Sequence, residues 1–361
     1  RDSLDIIDST DATNEDVADL FAIPADRLYG LHGNDILAAI DSQTLQSEIG
    51  GWDNFDDGIG GNFNIDGEYF AFPYNIESLI TYINTANAKE KGIDPDSPIE
   101  IDDVEDESTV LFPLFDAWYG VAATNSSNIE LLGQNDDGTL FTDMTKEFKE
   151  LEPEKQATIK GLFDYWKKHY EKSTPLFDAD AGWAYIDDTF TTGNGGVARI
   201  GGPWDAATIS EQAGEGNLAI KPITQLTLAG KPLAHWQGGW GLAMNARIEE
   251  DQNKVAIANE MIKEIVSPEY AIDLFKATGK ILENVSAETY ENSDLPDSDK
   301  EIISATIDSY NNSPARPLFR EWGDVWDTYK NAILSWNSTE PANEEEAVSY
   351  THLTLPTSDL V

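Results

Sequence analysis

Short apolar runs stopped by Gly or Pro alternate along this chain with segments whose apolar residues recur every three or four positions, and that alternation confines it to an α/β architecture. Asp19-Leu20-Phe21-Ala22-Ile23 is a strand candidate, and Asp35 to Ile40 is a brief apolar segment before a polar loop rich in Asp and Gly. Asp66-Gly67 marks a hairpin turn between Phe63-Asn64-Ile65 and Tyr69-Phe70-Ala71-Phe72. Beyond Pro73, the stretch from Ile76 to Asn87 carries Ile76, Leu79, Ile80 and Ile83 at helical spacing and gives way to the loop Gly92 to Pro98. Pro153 to Tyr170 predicts a strong amphipathic helix, with Pro in its first turn and Ile159, Leu162, Phe163 and Trp166 on one stripe, so Trp166 reads as core.

The second half keeps the pattern. Val197 to Ile200, closed by Gly201-Gly202-Pro203, and Asn217 to Ile220, stopped by Lys221-Pro222, are short enough to be buried strands. Gly238-Gly239-Trp240-Gly241 is a glycine-rich crossing into a strand at Leu242 to Asn245. Helices are expected around Lys254 to Ile265 and Pro268 to Thr278, the second ended by Gly279. At 361 residues the chain suits two lobes better than one core.

Charge narrows the partners. With 67 acidic against 23 basic residues the formal net charge is −44, which repels nucleic-acid phosphates and anionic lipid headgroups. A solvated exterior is the plain reading; high-salt adaptation is not favoured, since Lys outnumbers Arg 17 to 6. Absence of Cys excludes disulfides, thiolate metal sites and a Cys nucleophile. No apolar run approaches the about 18 residues needed to span a bilayer. The opening Arg1-Asp2-Ser3-Leu4-Asp5 is no signal peptide, so any export signal is expected to have been removed or to lie outside this sequence. Val348 to Thr357 resembles a translated library adapter, joined to an acidic helix start, PANEEEA, and residues 348–361 are set aside as a tail.

In their order along the chain these segments resemble the maltose-binding group of solute receptors, from about Asp19 to Ala347. DLFAIPADRLYGLHGNDILAAI is similar to the strand and loop that carry an acidic-basic sugar contact, here Asp26 and Arg27. GEYFAFPYNIESLITYINTA resembles the hinge strand, with the family's glutamate at Glu77, and GGVARIGGPWDAATI the segment whose aromatic platform follows Gly-Pro, here Trp204. GGWGLAMNA resembles the second hinge crossing and SPEYAIDLFKATGKILENVSAETY the helix and loop beyond it. PARPLFREWGDVWDTYKNAI is similar to the late helix whose platform falls on Trp326. Two departures stand out. Residues Arg1 to Val17 are too short and acidic to replace the family's opening strand and helix, so the true start is expected to be missing. Where the family has a glutamate and tyrosine near the sugar, this chain reads PLFDAWYG, making Asp116, Trp118 and Tyr119 candidates without a one-to-one match.

The resemblance implies a two-lobed periplasmic-binding-protein fold with crossing hinge strands. Residues 1–76 and 240–307 would form lobe 1, and residues 77–239 and 308–347 lobe 2. It further implies a carbohydrate ligand, a maltose-like di- or oligosaccharide, held between the lobes, an ABC transporter permease as partner, no catalysis, no cofactor or metal, a monomeric chain, and an extracellular place as a surface lipoprotein or periplasmic protein. A sugar shows C–H faces and a rim of hydroxyls, so aromatic surfaces and planar hydrogen-bonding groups are the chemistry it needs.

Several residues read two ways. Trp204, Trp326 and Trp240 are either core or ligand contacts. Asp26 and Arg27 could form only a surface ion pair. Glu77 is either an exposed helix-face residue or a buried carboxylate that must have a partner. Asn135-Asp136-Asp137-Gly138 faintly resembles a calcium loop, but Lys146 stands where the bidentate acid belongs, so a hairpin turn is expected. A glycoside hydrolase, with carboxylates flanking a bond, and an inert surface-interaction protein are the rival functions. No Ser-His-Asp signature, zinc motif or phosphate loop supports catalysis, and His32, His169 and His235 are scattered.

Overall fold

The computed structural model describes residues 13–354, so Arg1 to Asp5 and the end of the tail lie outside the described residues. The chain divides into two compact units. Unit 1 takes the residues up to Ser78, Gln237–Asn311 and Ala315–Arg320; unit 2 takes Leu79–Trp236, Asn312–Pro314 and the residues from Glu321 on.

Unit 1 is organised by one strand. Gly238–Asn245 pairs antiparallel with Leu20–Pro24, Leu37–Ala38 and Phe72–Glu77. The expected glycine crossing is thus the first half of a continuous strand of eight residues. Its glycines let neighbours come close: a Cβ on Gly239 would stand 2.3 Å from the Asn75 carbonyl oxygen, and one on Gly241 would stand 2.7 Å from the Phe63 ring. The chain leaves unit 1 just past Phe72–Glu77 and re-enters it just before Gly238–Asn245, and these two crossing strands are hydrogen-bonded to each other. Asn64–Ile65 and Glu68–Tyr69 form the hairpin expected at Asp66-Gly67.

Helix Gln252–Ile265 and helix Ala271–Thr278, the latter preceded by a 3-10 turn at Pro268–Tyr270 and ended by Gly279 at φ 71°, lie where their patterns predict. Ile23, Leu28, Ile59, Phe63, Phe72, Ile262 and Tyr290 are buried together in the core of this unit. Inside it the Glu283 carboxylate accepts from Trp52 Nε1 (2.9 Å), Ile59 N (2.9 Å) and Tyr310 Oη (2.8 Å), which satisfies a charge that would otherwise be costly to bury.

Unit 2 holds a sheet in the order Leu218–Pro222, Ile80–Asn84, Ala198–Gly201, Val110–Leu111. The helical spacing between Ile76 and Asn87 is therefore overturned. The segment is the end of strand Phe72–Glu77 and the strand Ile80–Asn84, with helix only from Thr85 to Lys91. Ile80–Asn84 is buried on both faces, and a continuous apolar run has no period to distinguish it from a buried helix. Ala198–Gly201 is buried as expected, whereas Leu218–Pro222 is half-buried because it forms the sheet edge.

Helix Pro153–Glu171 buries Ile159, Leu162, Phe163 and Trp166, whose Nε1 donates to Asn337 Oδ1 at 3.0 Å. Gly133–Gln134 and Leu140–Phe141 form the hairpin around Gly138, at φ 84°. The acidic segment does open a helix, Glu344–Thr354, and Val348, the first residue set aside as tail, is buried with Ile129, Leu151 and Ile159.

Candidate functional site

Asp26, Arg27, Glu77 and Trp240 lie in unit 1. Asp26 and Arg27 are exposed on the turn Ala25–Arg27, which follows strand Leu20–Pro24. Asp26 pairs through Oδ2 with Arg316 Nη2 at 3.3 Å rather than with its neighbour Arg27. Glu77 is the last residue of strand Phe72–Glu77, which removes the helix-face reading. Its Oε1 accepts from Trp240 Nε1 at 3.1 Å, across paired strands where Glu77 stands opposite Gly238.

Burial pushes the Glu77 carboxyl above its ordinary value; the Trp240 hydrogen bond and the charges of Lys280 and Arg316 pull it back, while Asp26 adds to the rise. Lys280 lies 5.2 Å from the Trp240 ring centre and 5.4 Å from that of Tyr74, cation–π contacts worth about 1 kcal/mol each. Trp240 is therefore half-buried, with its indole N–H spent on Glu77 and its ring facing a lysine.

Asp116, Trp118, Tyr119, Trp204 and Trp326 lie in unit 2. Asp116 caps helix Ala117–Ser126, its Oδ1 accepting from Trp118 N at 2.9 Å. The Trp118 ring packs edge-on against His235, with centroids 4.5 Å apart, and lies 6.4 Å from Trp326. Trp326 is half-buried and stands 4.8 Å from Trp322 and 6.0 Å from Trp236, so it belongs to a group of four indoles. His235 is fully buried, and its Nε2 lies 2.7 Å from the Trp118 carbonyl oxygen. A carbonyl only accepts, so this contact selects the tautomer protonated at Nε2.

Tyr119 packs edge-on against Trp183 at 5.0 Å. Burial, then the Asp205 and Asp116 charges, push its hydroxyl up, so it stays protonated and able to donate. Trp204 stands apart from the indole group on the turn Pro203–Asp205. It is 54% exposed, which removes the core reading. Its ring lies over Gly202, where a Cβ would come within 2.1 Å of it. A large apolar ring held in solvent over a glycine is an unfilled contact surface.

The structure adds Lys280, Arg316, His235, Trp236 and Trp322 to the residues expected from sequence. The available signal for Arg316 was scarcity: it is one of 6 Arg in the chain and lies between Pro314 and Pro317. Lys280 carries no local signal. Among the described residues no group of acids and histidines is placed to hold a metal, and no helix is long and apolar enough to cross a membrane.

The maltooligosaccharide ABC transporter solute-binding lipoproteins of two Streptococcus pneumoniae strains are each 23% identical over 283 residues, 74% of this chain and 60% of theirs. The chain thus spans about three-fifths of the length of the curated relatives it matches. Among solved structures, the maltose-binding periplasmic protein MalE of Listeria monocytogenes, in complex with maltose, superposes with a TM-score of 0.71 at 18% identity, covering 99% of this chain and 89% of that one. MalX of Streptococcus pneumoniae, in complex with maltopentaose, gives 0.64 at 20% identity, over 98% and 91%. A cyclo/maltodextrin-binding protein complexed with maltotetraose gives 0.65 at 20%, over 94% and 82%. These likenesses establish the periplasmic-binding-protein fold. Residues 5–294 match one family over most of the chain, and the protein accordingly belongs to the bacterial extracellular solute-binding proteins.

Proposed function

We propose that this chain is the receptor of a sugar importer, binding a maltose-like di- or oligosaccharide outside the cell and delivering it unchanged to an ABC transporter permease. Trp204 carries the reading: an indole that leaves 54% of its surface in solvent over Gly202 supplies the flat apolar face on which the C–H face of a sugar stacks. Asp26 and Glu77 in unit 1 supply acceptors for hydroxyls, and the indole group with Trp326 supplies further apolar surface in unit 2.

The names of the Streptococcus relatives and the maltose, maltopentaose and maltotetraose in the similar structures support an α-glucan ligand. The lipoprotein relatives support a lipid-anchored place at the cell surface, and the reading takes the receptor as a monomer. Calorimetric titration against mono-, di- and oligosaccharides, followed by analysis of the recovered sugar, tests it. Saturable binding of a maltose-like sugar returned intact is expected; hydrolysed sugar, or no saturable binding across the panel, overturns it.

A further inference from the structure

Unit 1 places two acids and two bases from four separate segments in one cluster: Asp26 on the turn after the first strand, Glu77 at the end of a crossing strand, Lys280 after helix Ala271–Thr278, and Arg316 between two prolines. Each acid is half committed. Asp26 uses Oδ2 on Arg316 and Glu77 uses Oε1 on Trp240; among the described residues no hydrogen bond reaches Asp26 Oδ1 or Glu77 Oε2. We propose that Arg316 and Lys280 are positioning residues of the sugar site, Arg316 fixing Asp26 directly and the two cations together keeping Glu77 an acceptor on Trp240, so that the second oxygen of each acid accepts a ligand hydroxyl. This rests on the reading of the chain as a sugar receptor.

The physical need is specific. A neutral Glu77 would present an O–H at Oε2 and compete as a donor, whereas an ionised one only accepts. Burial works toward the neutral form, and Asp26 adds a like charge. The charges acting toward the ionised form come from Lys280, held at the Tyr74 and Trp240 rings, and from Arg316, with the Trp240 indole N–H bonded directly. Arg316 serves both acids, since it also bonds Asp26. The quartet is neutral as a whole, which suits an uncharged polyhydroxylated ligand.

Two measurements test the proposal together. The Glu77 carboxyl is titrated by carbon NMR in ligand-free protein, assigned by comparison with E77Q. Maltotetraose affinity is measured by calorimetry from about pH 8 down to about pH 4, a range bracketing carboxyl titration. R316Q and K280Q are each expected to raise the Glu77 midpoint by about one pH unit, the low end of what one nearby opposite charge does. The acid limb of the affinity profile should move up with it, so that binding begins to fail at higher pH. R316K keeps the charge and should stay near the wild-type midpoint, which guards against simple misfolding of R316Q. An unmoved midpoint in both R316Q and K280Q, or an affinity loss equal at every pH, overturns the proposal. If wild-type protein takes up no sugar, the receptor reading falls instead, and the carboxyl titration still decides whether the two cations hold Glu77 ionised.

Discussion

Unit 1 presents charge at its candidate contacts, and unit 2 presents rings. In unit 1 the two candidate carboxylates are each held by a partner from a segment far away in the chain: Asp26 and Arg316 are 290 residues apart, Glu77 and Trp240 are 163 apart. In unit 2 most of the candidates are aromatic, and four indoles, two of them close in sequence at Trp322 and Trp326, pack on one another without needing a charged partner. A charge taken out of water needs a counter-charge or donor wherever the fold can find one, while an aromatic surface needs only contact. The same contrast appears in how the units should respond to acid.

The largest expected effect tests that contrast directly. His169 in unit 2 is fully buried among Tyr165, Phe177 and Tyr185, with Nδ1 at 2.7 Å from Thr174 Oγ1, and burial holds its pKa down at about 4 against an ordinary 6.5. A base with a depressed folded pKa contributes stability that is present above 6.5 and is lost as pH falls toward 4, here roughly 3 kcal/mol in all. Glu77 and Glu283 in unit 1 are raised above 4.5 by burial, so their contribution has the opposite sign, complete below 4.5 and lost as pH rises through the folded values. Asp102 and Glu130 of unit 2 are also raised but are solvent-exposed and weigh little. Hydrogen exchange followed peptide by peptide, corrected for intrinsic rates, should show unit 2 loosening before unit 1 between about pH 6.5 and 4.5. His169→Phe should flatten that acid slope. Equal loosening of the two units in wild type breaks the comparison.

Trp204→Ala comes next. It should weaken sugar binding about 10-fold or more, roughly 1.4 kcal/mol. Because the ring is 54% exposed, the thermal midpoint should hardly move. A fall in stability with unchanged affinity would return Trp204 to a structural role. The smallest effect sharpens the point: Gly202→Ala places a methyl where the Trp204 ring lies, so the ring must swing away, and affinity should fall by about 3-fold with the indole still present. Unchanged binding in this variant would mean that the resting position of the ring is not the one used.

The sequence made the strand-helix alternation readable wherever one face of an element meets solvent. Helix Pro153–Glu171 and helix Gln252–Ile265 carry period because their outer faces are polar. Ile80–Asn84 has no outer face, and its apolar spacing imitated a helix. Of the candidate contacts, Trp204 and Glu77 were nameable only through the resemblance of the segments GGVARIGGPWDAATI and GEYFAFPYNIESLITYINTA that carry them. Arg316, Lys280 and His235 were not, because what marks them is a partner brought in by the fold from more than 100 residues away: Asp26, Glu77 and the Trp118 carbonyl.

Unit 1's dependence on a single late strand bears on the order in which the protein is made. Leu20–Pro24, Leu37–Ala38 and Phe72–Glu77 each find their strand partner in Gly238–Asn245, with Phe72–Glu77 also bonded to the still later residues 281–283, and among the described residues the three do not pair with one another. On a ribosome these three strands emerge before Leu79–Trp236 and wait, while that largely contiguous stretch can begin to condense. Only when the eight residues from Gly238 emerge can the waiting strands close into a sheet. These three strands are thus translated well before the strand that secures them, and during that interval their open edges are the chain's greatest exposure to mispairing.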